Sequence, residues 1–390
     1  MHIAWLGKKS PFCGNVTYSR EITQSLKQRG HRVSFIHFHQ APSPSYNHRG
    51  SQGQSEEEFG LPYHYKHQIY TLPKLTAYKQ LKQSLERLSP DVVHASLTLS
   101  PLDFALPQLC QELKLPLVAT FHPAFDHKLR NFTSLLQFGT YQFYAPFLAH
   151  YDRVIVFSQL QQELLHKLGV PKHKIAIIPN GVDSYKYSPG FSTFKTQLNA
   201  EQIYLYQGRI AGEKNVDALL KAWKRSQLKP SSKLVIMGDG PMAELLQKDY
   251  GAADGVIWLG FIKEEYIRIN VLRSADVFIL PSLVEGLSLA LLEAMACGVA
   301  CLATDAGADG EVLNQGAGIV LETNQVTFQL QQLLPQLERD QGLRQSLGER
   351  ARARVLERYT LTNNIDRVEQ LYQVMVNRPS SLKSSRLVNS

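Results

Sequence analysis

The sequence predicts an α/β protein with two doubly wound parallel sheets that face each other across a cleft. Short apolar runs alternate with amphipathic segments along the chain, which is typical of strands joined by helices. The alternation is interrupted by a polar stretch over residues 186–200 and then resumes. A chain of 390 residues is also too long to fold around a single ordinary hydrophobic core. We therefore predict an N-terminal domain over 1–190, a C-terminal domain over 191–378 and a disordered Ser-rich tail over 379–390.

In the first half, each element is predicted from its apolar period and from the residues that end it. The predicted strands are 2–6, 32–38, 91–95, 116–121, 153–157 and 174–178. The predicted helices are 16–29, 74–88, 102–113 and 159–168, with a long helical region over 123–151. The segment 40–62 is rich in Pro, Ser, Gln and Gly, and this composition predicts a mobile loop.

The second half repeats the same alternation. Its predicted strands are 203–207, 234–237, 256–259, 277–280, 299–303 and 318–321. Its predicted helices are 216–223, 266–273, 288–298, 325–337, 340–359 and 363–376. We expect the last of these helices to pack back on the N-terminal domain.

The net charge of +8 is unevenly distributed. Residues 1–190 carry 20 Lys and Arg against 12 Asp and Glu, whereas residues 191–390 carry 22 of each. This asymmetry indicates that the first half meets an anionic surface, either nucleic acid or lipid headgroups. No apolar run approaches the ~20 residues that span a bilayer, and the N-terminus lacks the pattern of a signal peptide. The 4 cysteines form no CxxC pair, which favours a reducing compartment.

Aromatic residues are concentrated in one segment. Residues 121–151 contain nine of the 37 aromatic side chains, and Lys128, Arg130 and Lys167 make the region basic. One interpretation places the segment in a membrane interface, with its cations on the headgroups. The other is a buried helix pair that lines a cleft. We favour burial for most of these aromatics, with a membrane-facing minority.

The strand–loop–helix junction over 276–298 is the most informative stretch. Its helix begins after Glu285, and the first N–H groups of a helix lack internal partners and carry partial positive charge. Gly286, Leu287 and Ser288 therefore offer donors to a phosphate. Glu293 lies further along an otherwise apolar helix, where a carboxylate needs a partner such as a sugar hydroxyl. The alternative is a solvated helix face and an ordinary loop acid.

Other candidates follow the ends of predicted strands, where parallel sheets bind ligands. Arg209 and Lys214 follow strand 203–207 beside Gly208, and together they neutralise a diphosphate without a metal. The alternative is a pair of surface cations. His94 and His122 also lie at strand ends, where a hydrogen-bonded structural role is the competing interpretation.

Missing motifs exclude several classes of protein. The chain contains no GxGxxG, no GxxxxGK[ST], no GxSxG and no Asp-x-Asp. These absences count against a dinucleotide-dependent dehydrogenase, a P-loop nucleotide hydrolase, a serine hydrolase and a manganese-diphosphate site, respectively. The sequence therefore favours a nucleotide sugar that is bound by cations and a helix end, with no metal and no cofactor.

The combined motifs resemble glycosyltransferase family 4, which comprises retaining enzymes of the GT-B fold with two Rossmann-like domains. The matching pieces are Gly14, TFHP at 120–123, PNGVD at 179–183, GRIAGEK at 208–214 and EGLSLALLE at 285–293. The resemblance spans nearly the whole chain. The usual paired glycines of the family appear here as Cys13 and Gly14, which is the one visible departure.

The resemblance implies roles by position. The catalytic residues are Arg209, Lys214, Glu285 and His122. The donor-binding residues are Gly14, Gly208, Gly286, Leu287, Ser288 and Glu293. Arg209 and Lys214 hold the diphosphate, Glu293 binds the ribose and Glu285 holds the transferred sugar. Gly14 allows close approach of the backbone to the donor phosphates, and His122 lies beside the reacting sugar.

Segments 1–22 and 94–131 resemble the branch of this family that contains the cyanobacterial digalactosyldiacylglycerol synthases. This implies UDP-galactose as donor, monogalactosyldiacylglycerol as acceptor, and a peripheral position on the cytoplasmic side of a thylakoid or plasma membrane. The N-terminal domain is then expected to meet an anionic membrane surface and not nucleic acid. Two alternatives remain open: a soluble or polysaccharide acceptor with UDP-glucose or GDP-mannose, and a non-catalytic peripheral lipid-binding protein.

Overall fold

The computed structural model describes residues 1–9, 14–39, 57–66, 70–126, 128–129 and 131–377. Two parallel sheets with helices packed against them account for most of this chain, which confirms the predicted α/β class. The predicted tail, residues 40–56 and Cys13 lie outside the described residues.

The N-terminal sheet has seven parallel strands in the order β3-β2-β1-β6-β7-β8-β9, and β4 pairs with β5 in a separate antiparallel hairpin. In chain order the elements are β1 (His2–Leu6), α1 (Gly14–Gln28), β2 (Arg32–Phe38), β3 (Glu57–Leu61), β4 (Tyr63–Lys66), β5 (Thr71–Pro73), α2 (Thr76–Leu88), β6 (Val92–Ser96), α3 (Pro101–Glu112), β7 (Leu117–Thr120), α4 (Phe132–Leu148), β8 (Arg153–Val156), α5 (Gln159–Lys167) and β9 (Ile175–Ile177).

The C-terminal sheet has six parallel strands in the order β12-β11-β10-β13-β14-β15. The elements are α6 (Phe194–Gln197), β10 (Gln202–Gln207), α7 (Val216–Ser226), β11 (Ser232–Met237), α8 (Ala243–Asp249), β12 (Val256–Gly260), α9 (Glu265–Ser274), β13 (Val277–Leu280), α10 (Leu289–Ala296), β14 (Ala300–Thr304), α11 (Asp309–Val312), β15 (Ile319–Leu321), α12 (Val326–Arg339), α13 (Gln341–Arg358) and α14 (Leu361–Val376).

Strand order explains where the cleft forms. In the first sheet the order reverses between β1 and β6, and in the second it reverses between β10 and β13. Loops that leave the carboxyl ends of such neighbouring strands diverge and leave a crevice. The inner strands are apolar because helices cover both faces of a parallel sheet, and all four residues of β13 are buried.

The last helix crosses back to the first sheet. On α14, Glu369 accepts hydrogen bonds from Arg29 Nη1 at 2.5 Å and from His31 Nε2 at 2.6 Å. Deeper in the same contact, the hydroxyl of Tyr372 bonds His94 Nδ1. The chain therefore links its two sheets at its C-terminal end as well as through residues 178–201.

Two expectations about the first half need correction, and one element of it was not predicted. Residues 57–61 belong to strand β3, which pairs with β2, so the mobile loop that we predicted over 40–62 does not extend to Pro62. The region 123–151 contains one helix, α4, and not a helix pair. The hairpin β4–β5 was not predicted, because its two short strands lie within a polar stretch.

The aromatic segment divides as the sequence indicated. Phe121, Phe125, Tyr141, Tyr144 and Tyr151 are buried in the N-terminal core. Phe132 and Phe143 are exposed on α4, at 80% and 59% of their surface.

Candidate functional site

A cavity of about 680 Å³ lies between the carboxyl ends of the two sheets and is lined by both domains. Every one of the ten site residues that the sequence predicted lines it. These are Gly14, His122, Gly208, Arg209, Lys214, Glu285, Gly286, Leu287, Ser288 and Glu293. Residues separated by up to 279 positions in the chain are thus gathered at one place, and the roles that we predicted for them can be considered together.

Lys214 and Glu285 form an ion pair on the C-terminal wall of the cavity. Lys214 Nζ is 2.5 Å from Glu285 Oε2, and the Ser282 hydroxyl donates to the same oxygen at 3.2 Å. Both side chains of the ion pair are mostly buried, with 20% and 14% of their surface exposed. The pair holds a cation in place at the end of β10, where an anionic ligand can bind it.

Arg209 leaves the same strand end and pairs with Glu213. The Tyr206 hydroxyl donates to the Arg209 carbonyl at 2.7 Å, which fixes the backbone of this loop. A glycine is required opposite the loop: a Cβ on Gly238, whose φ is +146°, would lie 1.8 Å from the carbonyl oxygen of Gly208. Gly238 was not among the predicted site residues, although it follows β11 and so lies at the carboxyl end of a parallel strand, like the others.

The helix junction differs from the prediction, because two of the three N–H groups expected to face a phosphate have partners within the protein. The Gly286 N–H donates to Glu285 Oε1 at 3.4 Å. Ser288 caps α10, and its hydroxyl accepts from the Leu291 N–H at 3.2 Å. The Ser288 N–H itself donates to Asp309 Oδ1 at 3.0 Å, so it is directed to a buried carboxyl group and not to an anion in the cleft. Burial, together with the nearby charge of Glu285, raises the pKa of Asp309 well above its usual range.

Glu293 is a buried carboxylate at the floor of the cavity, with 8% of its surface exposed. Gln207 Nε2 donates to its Oε2 at 2.7 Å. Burial raises the pKa of Glu293 to about 7, and the Gln207 hydrogen bond and the charge of Arg268 act against this shift. The Tyr187 side chain also bonds this carboxylate, and two oxygens with about four lone-pair sites leave acceptor capacity for a ligand hydroxyl.

Three further residues were missed by the sequence analysis. Gln207 and Arg268 line the cavity beside Glu293, and Asn180 donates its Nδ2 to the Leu287 carbonyl at 2.9 Å. Gln207 is the last residue of β10, so the strand-end rule was sufficient to find it. Arg268 is on the helix α9 and donates to the carbonyls of Ile262 and Lys263, a contact that no local pattern reveals.

The two histidine candidates have different environments. His94 is fully buried, bonds Tyr372 and lies 2.7 Å from Thr120 Oγ1, so the structural interpretation holds for it. His122 lines the cavity, and its Nε2 is 2.9 Å from Ser96 Oγ. Across the cleft, a Cβ on Gly286 would lie 3.3 Å from the His122 carbonyl oxygen, so the two domains approach closely here.

Gly14 begins α1 at the mouth of the cavity. A Cβ at this position would meet no atom of the described residues within 4 Å, so packing against them does not require a glycine there. Among the residues that the structure describes, no group of three or more His, Cys, Asp or Glu side chains is arranged to hold a metal ion. Across the described helices, none has both the length and the apolar character to cross a bilayer.

Comparisons with known proteins agree with this geometry. Residues 13–185 match the family model described as Glycosyltransferase Family 4, and residues 191–354 match the model described as Glycosyl transferases group 1. The boundary between the two matches lies in the polar segment that joins the two sheets.

Relatives and solved structures extend the comparison. The N-acetyl-alpha-D-glucosaminyl L-malate synthase of Bacillus anthracis is 26% identical over 390 residues, covering 92% of this chain and 93% of the relative. The UDP-Gal:alpha-D-GlcNAc-diphosphoundecaprenol alpha-1,3-galactosyltransferase of Escherichia coli is 28% identical over 239 residues, covering 57% and 60%. The sucrose-phosphate synthase of Thermosynechococcus elongatus superposes with a TM-score of 0.76 at 21% identity, covering 95% and 98%, which shows the same fold.

Proposed function

This chain is a hexosyltransferase of the family 4 type with the GT-B fold and a nucleotide-sugar donor, and we propose that it transfers galactose from UDP-galactose to monogalactosyldiacylglycerol. The product is digalactosyldiacylglycerol, formed with retention at the anomeric carbon. The reaction takes place on the cytoplasmic side of an anionic membrane, with the enzyme bound peripherally. The family matches also disfavour the alternative of a lipid-binding protein without activity.

The observation that carries the lipid acceptor is an exposed apolar surface on the N-terminal domain. On α4, Phe132, Leu135, Leu136 and Phe143 each expose 56–80% of their surface. Leu136 and Phe143 also line an open groove of about 450 Å³ together with Leu99 and Phe104. Apolar surface of this kind on a soluble domain typically marks a contact with protein, ligand or membrane.

The position and charge of this surface favour a membrane. At the start of α4, Asn131 Nδ2 donates to the Leu283 carbonyl at 3.4 Å, so the helix begins at the cleft. The excess positive charge of the chain lies in the same half of the sequence. A domain with net positive charge and an exposed apolar surface suits an interface with anionic lipid, because headgroup attraction and apolar burial then act together.

The assignment of the nucleotide-sugar donor is based on residues of the C-terminal wall of the cavity. Arg209 and Lys214 follow β10 and line the cavity together with Glu285. In the proposed reaction these two cations stabilise the charge that develops on the leaving diphosphate. Buried Glu293 is available to ribose hydroxyls. The E. coli relative carries UDP-Gal in its name, which supports a uridine donor and galactose over GDP-mannose.

The proposed reaction needs no side-chain base. The acceptor hydroxyl attacks the anomeric carbon from the side on which the diphosphate leaves. The bond between that carbon and the phosphate oxygen breaks as the new glycosidic bond forms, and the departing phosphate oxygen takes the hydroxyl proton. Arg209 and Lys214 lower the barrier by stabilising the negative charge, while the closed cleft holds the two substrates together.

A second candidate is a soluble acceptor, because the B. anthracis relative is named for L-malate. A transfer assay with metal chelated separates the two. It crosses UDP-galactose, UDP-glucose and GDP-mannose with monogalactosyldiacylglycerol in anionic vesicles and with L-malate in solution. We expect digalactolipid from UDP-galactose alone. Product on malate and none on lipid would contradict the proposal, and dependence on added metal would contradict the donor site.

Lys214→Ala provides the site-specific test in the same assay. The change removes a charge-assisted contact with the diphosphate, so turnover should fall at least ~10-fold. Lys221→Ala is the matched control, because Lys221 is an exposed lysine whose ion pair with Asp217 lies along α7. Turnover of Lys214→Ala within about twofold of the parent would rule out the assigned diphosphate contact.

A further inference from the structure

A chain of hydrogen bonds connects the backbone of the N-terminal sheet to the imidazole of His122. Asn15 Nδ2 donates to the Leu97 carbonyl at 3.2 Å. The Ser96 hydroxyl donates to Asn15 Oδ1 at 2.7 Å, and Ser96 Oγ lies 2.9 Å from His122 Nε2. Asn15 follows β1, while Ser96 ends β6 and Leu97 comes directly after it; the sheet order reverses between these two strands.

The direction of each bond in this chain is fixed by the one before it. The Leu97 carbonyl only accepts, so the Asn15 amide must turn its NH₂ group to Leu97 and its oxygen to Ser96. The hydroxyl of Ser96 has a single proton, which it donates to Asn15. Ser96 therefore accepts from His122, and the proton of the neutral imidazole is on Nε2.

The other ring nitrogen then carries a lone pair. The Nε2 edge of His122 faces Ser96, which is buried with 1% of its surface exposed, while the side chain lines the cavity. Among the described residues, the hydrogen bond of the His122 ring runs through Nε2, and Nδ1 belongs to a ring that lines the cavity. The ring is also held in place by the rings of Tyr18 and Phe157, whose centroids lie 5.0 Å and 5.3 Å away.

The charge state agrees with this geometry. Burial, with the nearby ammonium group of Lys8, lowers the pKa of His122 to about 3. The ring is therefore neutral near pH 7 and is a poor proton acceptor. It can accept a hydrogen bond at Nδ1 without taking the proton.

We propose that Asn15 and Ser96 are positioning residues that hold His122 in its Nε2–H tautomer, so that Nδ1 accepts a hydrogen bond from a hydroxyl of the transferred sugar. The sugar contact rests on the proposed function, whereas the tautomer does not. His122 then recognises the sugar and is not a base in the transfer. Because Asn15 is anchored to the Leu97 carbonyl and Ser96 is held by Asn15, Nδ1 is kept as a hydrogen-bond acceptor and recognises a hydroxyl that donates.

The tautomer is tested by ¹⁵N NMR on the full chain with labelled histidine at pH 7. His122→Gln identifies the resonances of this ring among the 13 histidines. We expect a protonated Nε2 and an unprotonated Nδ1 in the parent, and a substantial fraction of the other tautomer in Ser96→Ala. A protonated Nδ1 or an imidazolium in the parent would overturn the proposal.

The sugar contact is tested by calorimetric binding of UDP and UDP-galactose to the parent, Ser96→Ala and Asn15→Ala. UDP affinity should change less than UDP-galactose affinity, because the assigned nucleotide contacts other than Gly14 lie on the C-terminal wall. The advantage of UDP-galactose over UDP should fall by ~3- to 10-fold, the size of one neutral hydrogen bond. Ser274→Ala is the control, since this buried hydroxyl donates only to Val271 O within α9.

The outcomes separate the two proposals. Equal weakening of UDP and UDP-galactose would indicate a merely structural role for Ser96 and Asn15. If the parent binds UDP-galactose no more tightly than UDP and yet shows the Nε2–H tautomer, both the sugar contact and the galactose donor are contradicted. The NMR result would then still support the positioning of His122 by Asn15 and Ser96.

Discussion

Glu293 is a buried carboxylate that lines the cavity and makes the stability of the fold depend on pH. Burial raises its pKa to about 7, compared with 4.5 for an exposed glutamate. The folded protein therefore binds this proton more tightly than the unfolded chain does. Its contribution to stability is full below about pH 4.5 and is lost as the pH rises through about 7.

Glu293→Gln should remove this pH dependence, because the amide stays neutral at every pH. We expect the variant without ligand to gain up to about 3 kcal/mol in free energy of unfolding relative to the parent at pH 8, and little at pH 4.5. Urea denaturation across this range measures the difference. The exposed Glu244→Gln on α8 is the control, and an identical pH profile for parent and Glu293→Gln would contradict the prediction.

Individual site residues were largely predictable because strand ends follow a general rule. The ten predicted residues all line one cavity, since nine lie in a loop or helix start that follows a parallel strand and Glu293 lies one turn further along α10. The exceptions in detail are two N–H groups: that of Gly286 donates to Glu285, and that of Ser288 donates to Asp309, 21 residues later in the chain. No local pattern specifies such a partner. The same holds for Arg268, whose contact with the Ile262 carbonyl depends on how α9 docks.

The helix α4 illustrates the limit of prediction at the scale of one element. Its sequence is apolar on all sides, so a helical period does not indicate which face is buried. The tertiary structure decides: Tyr141 and Tyr144 enter the core, whereas Leu135 and Leu136 are exposed. Short elements such as β4, β5 and α8 were missed, because three to seven residues carry too little periodicity.

The exposed face of α4 gives the element its own test. Leu136→Asp places a charge where the proposed membrane contact requires apolar burial, so vesicle binding should weaken ~10-fold or more. Transfer to monogalactosyldiacylglycerol in vesicles should fall in parallel, while hydrolysis of UDP-galactose in solution is retained. Vesicle co-sedimentation and product analysis measure the two effects.

Phe328→Asp on α12 is the matched control. Phe328 exposes 63% of its surface and Leu136 exposes 64%, but Phe328 lies on the C-terminal domain. Both variants therefore add the same charge at equally exposed sites. Equal losses of vesicle binding in the two variants would assign the effect to net charge and contradict a membrane surface on α4.

At the scale of the whole molecule, several contacts hold the two domains together around the cleft. The backbone of Phe125 pairs with that of Glu285, with N···O distances of 3.0 Å and 3.4 Å. Lys128 Nζ lies 2.7 Å from Asp305 Oδ2. These contacts place Phe125 and Lys128 beside the C-terminal loops, including the one that carries Glu285. None of the contacts was predicted from the sequence, because domain docking brings together loops that share no sequence pattern.

Glu311 forms the contact of this kind that is best suited to a test. Its carboxylate crosses the cleft and accepts from the first N–H groups of α5, at 3.0 Å from Leu160 N and 3.3 Å from Gln159 N. Because the helix end is electropositive, this contact stabilises the approach of the two domains across the cleft. Glu311→Ala should increase the radius of gyration in small-angle scattering and lower kcat roughly tenfold, with UDP affinity unchanged. Glu349→Ala, an exposed glutamate on α13, should change none of these, and unaltered scattering and kcat in Glu311→Ala would show that the cleft closes without this contact.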